Sequence, residues 1–117
     1  MEKKLQKIKQ QVTKCTKCEL SKTRNKSVPG KGNYKADVIF VGEAPGKNED
    51  MKGEPFIGIA GKKLTMALDS AGVTREEVYI TNIVKCRPPK NRVPTTDERN
   101  TCQNYLEKEI DIIKPKI

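Results

Sequence analysis

The chain has no histidine and no apolar run longer than Val38 to Val41. The first absence withholds the imidazole from any site built here. The second excludes a membrane-spanning helix, which needs about 20 consecutive apolar residues. The basic N-terminus also lacks the apolar core of a secretory signal, so the sequence reads as cytoplasmic. Neither G-x-G-x-x-G nor a Walker loop occurs, which leaves dinucleotide and triphosphate readings without support. Internal repeats and low-complexity segments are missing too. What remains is a chain of 117 residues, 34% hydrophobic and 33% charged, enough for one domain with a modest core. Its 24 Lys and Arg against 15 Asp and Glu give a net charge of +9. Such a surface attracts polyanions, and counterion release from nucleic acid would reward it. The plainer alternative is that the lysines keep the protein soluble.

Leu5, Ile8 and Val12 recur at helical spacing, predicting an amphipathic helix over residues 3–13. Residues 27–34 hold Pro29, Gly30, Gly32 and Asn33 and read as a loop. The apolar stretch 36–41, closed by Gly42, suits a strand buried on both faces. A long shaped loop is expected from Gly42 to Gly61, followed by a helix with Leu64, Ala67, Leu68 and Ala71 on one stripe and Gly72 just past its end. Thr74-Arg75-Glu76-Glu77 matches a capping box for a brief helical turn. Residues 78–84 read as a second strand. Thr95 or Thr96 can cap a last helix with Cys102, Tyr105, Leu106, Glu109, Ile110 and Ile113 near its inner side, ended by Pro115. Strand, crossover helix, strand, helix is the opening of an α/β sheet. Two strands are too few to complete one, so an incomplete domain is expected, with Lys116 and Ile117 starting a third strand.

Four cysteines carry the strongest chemical signal: Cys15 and Cys18 as a C-x2-C pair, then Cys86 and Cys102 singly. In a reducing compartment they argue for metal or reactive chemistry before disulfides. Zinc sites usually bring two close pairs, whereas intervals of 2, 67 and 15 residues suit a bulkier iron–sulfur cluster collected from three segments. Spacing alone leaves cluster, zinc and buried thiols open. The loop Gly42-Glu43-Ala44-Pro45-Gly46 follows a strand, where ligands bind in open α/β sheets. Its backbone N–H groups could face an anion or a polar base edge.

Taken together, Gly42-Glu43-Ala44-Pro45-Gly46, Glu49-Asp50, Gly53-Glu54-Pro55-Phe56, Ala60-Gly61 and Tyr79-Ile80-Thr81-Asn82-Ile83-Val84-Lys85-Cys86-Arg87-Pro88-Pro89 resemble the iron–sulfur-containing family-four uracil-DNA glycosylases. The four cysteines match that family's cluster ligands in order and approximate spacing. The resemblance implies a three-layer α/β/α sandwich with a parallel central sheet and a 4Fe-4S cluster held by Cys15, Cys18, Cys86 and Cys102, structural in role. It implies excision of a flipped uracil from DNA, leaving an abasic site. Gly42, Phe56, Asn82 and Asn91 would bind the base, with Phe56 stacking on it and Asn82 reading its polar edge. Glu43 and Glu49 match the family's acidic positions, where they would shape the pocket and help position water. The aspartate that assists water in better-known uracil glycosylases corresponds here to Ala44.

Lys85, Arg87, Lys90 and Arg92 follow the second strand within one loop and are candidate phosphate contacts; the bland reading is a solvated loop. The family's remaining contributor is a histidine in a later His-Pro motif, which this chain lacks. Residues 1–117 therefore read as a single domain truncated at its C-terminal side, with weak or no activity alone. The expected partner is uracil-containing DNA and the expected state a monomer; a sliding-clamp partner stays open. Two other readings stand: a non-catalytic nucleic-acid-binding module holding zinc, and a relative with a different damage specificity.

Overall fold

A computed structural model describes residues 2–17 and 19–117. Helix α1 (Glu2–Thr13) forms where Leu5, Ile8 and Val12 fall on one face, and all three are buried. That face packs on α4 (Thr96–Ile113). Thr95 caps α4, its hydroxyl accepting from the Glu98 N–H while the Glu98 carboxylate accepts from the Thr95 N–H, so the Thr-x-x-Glu signal is realised there. At Thr74 it is not: the hydroxyl reaches the Glu77 carboxylate instead of a backbone N–H, and only a 3-10 turn (Arg75–Glu77) follows. On α4, Cys102, Tyr105, Glu109 and Ile113 are buried, whereas Ile110 turns outward.

Three strands make a mixed sheet in the order β1-β3-β2, with β1 (Lys31–Gly32), β2 (Ile39–Gly42) and β3 (Tyr79–Asn82). The parallel pair is β2 with β3, in register Gly42 to Asn82. The two-residue β1 runs antiparallel to β3 within the stretch expected to be a loop. Side chains on a strand alternate between faces. Tyr79 accordingly packs with Leu5 and Ile113, and Ile80 with Leu68 of α3 (Ile59–Ser70). Helices thus cover both faces. β3 is the doubly buried strand; β2, expected to be so, leaves Val41 43% exposed because it lies at the sheet margin. On that margin the Ile117 N–H donates to the Asp37 carbonyl and the Ile39 N–H to the Ile117 carbonyl, the bonding alternation of a parallel ladder.

The loop after β2 contains a short helix, α2 (Lys47–Lys52), that the glycine and proline content concealed. Helix α3 ends at Ala71 and Gly72, close to the expected stop. No helix among the described residues is long and apolar enough to cross a membrane.

Candidate functional site

Parallel pairing brings the ends of β2 and β3 side by side, so the Asn82 side chain stands next to Gly42. A Cβ at Gly42 would collide with Asn82 Oδ1 and the Phe56 ring, so the glycine allows these groups to close on each other. Around them lie two adjoining cavities of about 230 and 370 Å3 that share Ala44, Gly46, Phe56 and Asn82. Glu49, Gly58 and Gly61 add to the first; Gly42, Glu43, Asn91 and Arg92 add to the second. Gly42, Phe56, Asn82 and Asn91, singled out in the sequence, all border the second of these cavities. The parallel contact persists past the strands, because the Ile83 and Val84 N–H groups donate to the Gly42 and Glu43 carbonyls.

Glu49 binds the walls of the first cavity together. Its Oε1 accepts from the Gly46 N–H at 3.0 Å and its Oε2 from the N–H groups of Ile57 and Gly58 at 2.9 and 2.7 Å. Burial pushes the carboxyl up, but these backbone donors outweigh it and hold Glu49 below the usual carboxylate range. Glu43 is exposed and accepts a 2.8 Å bond from Arg99 Nη2. Both candidate carboxylates are thus engaged: Glu49 shapes the cavity, and Glu43 ties its rim to α4.

The basic residues divide. Lys85 is not a surface group, contrary to the sequence reading: it is 1% exposed, and its ammonium donates to Thr81 Oγ1, the Asn82 carbonyl and Glu109 Oε1. The carboxylate two turns past Cys102 on α4 draws it inward. Arg92 forms a paired bond to Glu98 at 2.8 and 2.9 Å, and Arg87 Nε donates to Asn91 Oδ1 at 2.8 Å. Arg92, Lys90 and Asn91 are exposed at the rim. Arg75, not singled out in the sequence, supports a residue of the cavity wall: its guanidinium holds the Pro55 and Phe56 carbonyls.

Behind the cavity, Cys86 and Cys102 are buried in an apolar cluster with Val12, Leu20, Val84 and Tyr105, and Cys15 packs against it. Burial pushes the Tyr105 phenol up, and its hydrogen bond to Cys15 and the neighbouring Cys102 and Cys86 add to the shift. Arg24 Nη1 donates to Cys86 Sγ at 3.0 Å. Cys18 lies outside the described residues. Among those described, no group of three or more His, Cys, Asp or Glu is arranged to hold a metal ion.

The model of the uracil DNA glycosylase superfamily matches residues 29–117, a span that includes both cavities. The chain belongs to that superfamily. Within it, the chain is 54% identical over 110 residues to the type-4 uracil-DNA glycosylase of Archaeoglobus fulgidus, covering 94% of this chain and 55% of that protein. Against the Sulfurisphaera tokodaii type-4 enzyme the identity is 55% over 114 residues, 97% and 52% of the two chains. For Thermotoga maritima it is 47% over 110 residues, 94% and 57%. The chain spans about half the length of these curated relatives.

Proposed function

We propose that this chain forms the base-reading and cysteine-bearing part of a uracil-DNA glycosylase. The observation that carries the reading is the cavity that the Phe56 ring, the Asn82 amide and the loop following Gly42 line together. An aromatic face binds any flipped base by stacking. A side-chain amide adds selection: its oxygen accepts from uracil N3–H while its nitrogen donates to O4, and cytosine mismatches both. As the N-glycosidic bond breaks, negative charge collects on the departing uracil and positive charge on the deoxyribose. Backbone N–H groups of Glu43 and Ala44, in the loop that Glu49 anchors through the Gly46 N–H, are suited to stabilise the first charge. DNA phosphates help the second. Arg87, Lys90 and Arg92 are the residues that would meet those phosphates; Lys85, buried on Glu109, would not.

The cysteines fit a cluster in donor chemistry. Three thiols gather at one apolar locus, and the guanidinium on Cys86 can balance thiolate charge. Cys15, Cys18, Cys86 and Cys102 would hold a 4Fe-4S cluster, which would brace the surrounding loops. Natively purified protein should then be brown, with broad visible absorbance and bound iron. Stoichiometric zinc without iron would favour the zinc-holding module instead.

The base-reading role is tested by binding of uracil-containing and cytosine-containing single strands. Wild type should prefer uracil, a preference that Asn82→Ala should largely remove, whereas Phe56→Ala should weaken binding of the uracil strand about tenfold, since stacking is worth about 1–3 kcal/mol per base. An unchanged uracil affinity in Phe56→Ala would remove Phe56 from the site. Because the chain has no histidine for the departing base, a uracil oligonucleotide incubated with it should stay intact after alkali. Efficient strand breakage would show that the residues present suffice.

A further inference from the structure

Phe56 has a backbone φ of 52°, in the left-handed region that an aromatic residue occupies only when its surroundings hold it there. The holding group is Arg75. From the 3-10 turn between α3 and β3, its Nη2 donates to the Pro55 carbonyl at 2.9 Å and its Nη1 to the Phe56 carbonyl at 2.6 Å. The same Nη1 reaches Thr65 Oγ1 at 3.2 Å, and that hydroxyl donates to the Gly61 carbonyl. Gly61 completes the seat, since a Cβ there would strike the Phe56 carbonyl. One planar fork thus grips two successive peptide groups on the side away from the cavity, while the Phe56 ring projects to Gly42 and the cavity shared with Asn82. A lysine offers a point charge and cannot reproduce the two-carbonyl grip.

We propose that Arg75 is a positioning residue for base recognition: it fixes the angle of the Phe56 platform from behind without touching the base. The proposal rests on the base-reading role of the cavity, but its first test does not. The chain has only two phenylalanines, Phe40 and Phe56. Labelling with 4-fluorophenylalanine therefore gives two 19F resonances, assigned with Phe56→Leu. Arg75→Lys and Arg75→Ala should move and broaden the Phe56 resonance and leave that of Phe40 nearly in place. A Phe56 resonance unmoved in both variants overturns the proposal.

The second test is the affinity for a uracil-containing strand in the protein carrying this sequence. Arg75→Lys should lower it about tenfold, a loss within the range of one stacking contact. In a Phe56→Ala background the same change should leave the affinity within about twofold, because the residue it acts through is gone. Losses that multiply instead overturn the proposal, since Arg75 would then act independently. If Phe56→Ala itself leaves the affinity unchanged while the 19F resonance responds to Arg75, the cavity's base-reading role fails and the mechanical coupling stands.

Discussion

Replacing Lys85 by methionine should be among the most damaging single changes in this chain. The ammonium is 1% exposed, as is Glu109, and the pair meets at 2.6 Å. Glu109 also accepts from the Tyr79 hydroxyl at 2.6 Å and from the Thr81 hydroxyl. In Lys85→Met those two neutral donors remain, but the carboxylate loses its counterion in a place water does not reach. Breaking one side of a buried pair costs about 3–5 kcal/mol. A chain of this size has a total stability of roughly 6–17 kcal/mol, so the loss is a large share of it. Replacing both partners, Lys85→Met with Glu109→Leu, removes the stranded charge and should recover most of the deficit, because apolar substitutes for a buried pair are often neutral. Urea unfolding at neutral pH, followed by circular dichroism, gives both numbers by linear extrapolation. A single-variant loss below about 1 kcal/mol would refute the reasoning, as would a double variant less stable than either single one. The first would mean that Glu109 finds water or another donor; the second, that shape rather than charge dominates there.

Other measurements reach the rim and its loop. Glu98 is lowered to about 2, chiefly by its hydrogen bonds from Arg92, with burial opposing. Its folded value lies below the ordinary 4.5, so the stability it contributes is full above pH 4.5, declines below it and is gone once pH falls through about 2. Glu98→Gln should therefore be less stable than wild type at pH 6 and converge with it near pH 2; a constant difference across that range would discount the charge. Neutralising Lys90 and Arg87 together should weaken binding to uracil-containing and undamaged DNA alike and flatten the salt dependence of binding. A loss confined to uracil-containing DNA would place them in base recognition instead.

Legibility from sequence followed the range of the interactions involved. α1 and α4 were readable because apolar spacing and the Thr95-to-Glu98 cap are local. β1 was not: two residues among prolines and glycines become a strand only because β3 presents its edge to them. α2 was hidden for a similar reason, since the bonds of Glu49 to Gly46, Ile57 and Gly58 close a segment whose composition speaks for irregular backbone. Lys85 shows the clearest failure. Within its basic loop nothing distinguishes it from Arg87 or Lys90, and only Glu109, on a helix far along the chain, decides that it turns inward. Phe56, Asn82 and the 42–46 loop were legible through motif likeness, whereas Arg75 acts through backbone carbonyls, which leave no signature in side-chain pattern.

The Lys85 ammonium reaches back to the Asn82 carbonyl and so closes a short turn, with the amide that faces the cavity at one end and Cys86 of the apolar cluster just past the other. Its length is thereby fixed more strictly than its side chains. One inserted residue would rotate the two ends by different amounts, and no rotamer adjustment could restore both. Drift in this family should accordingly show up here as exchanged residues, while gains and losses of chain collect in the exposed connections elsewhere.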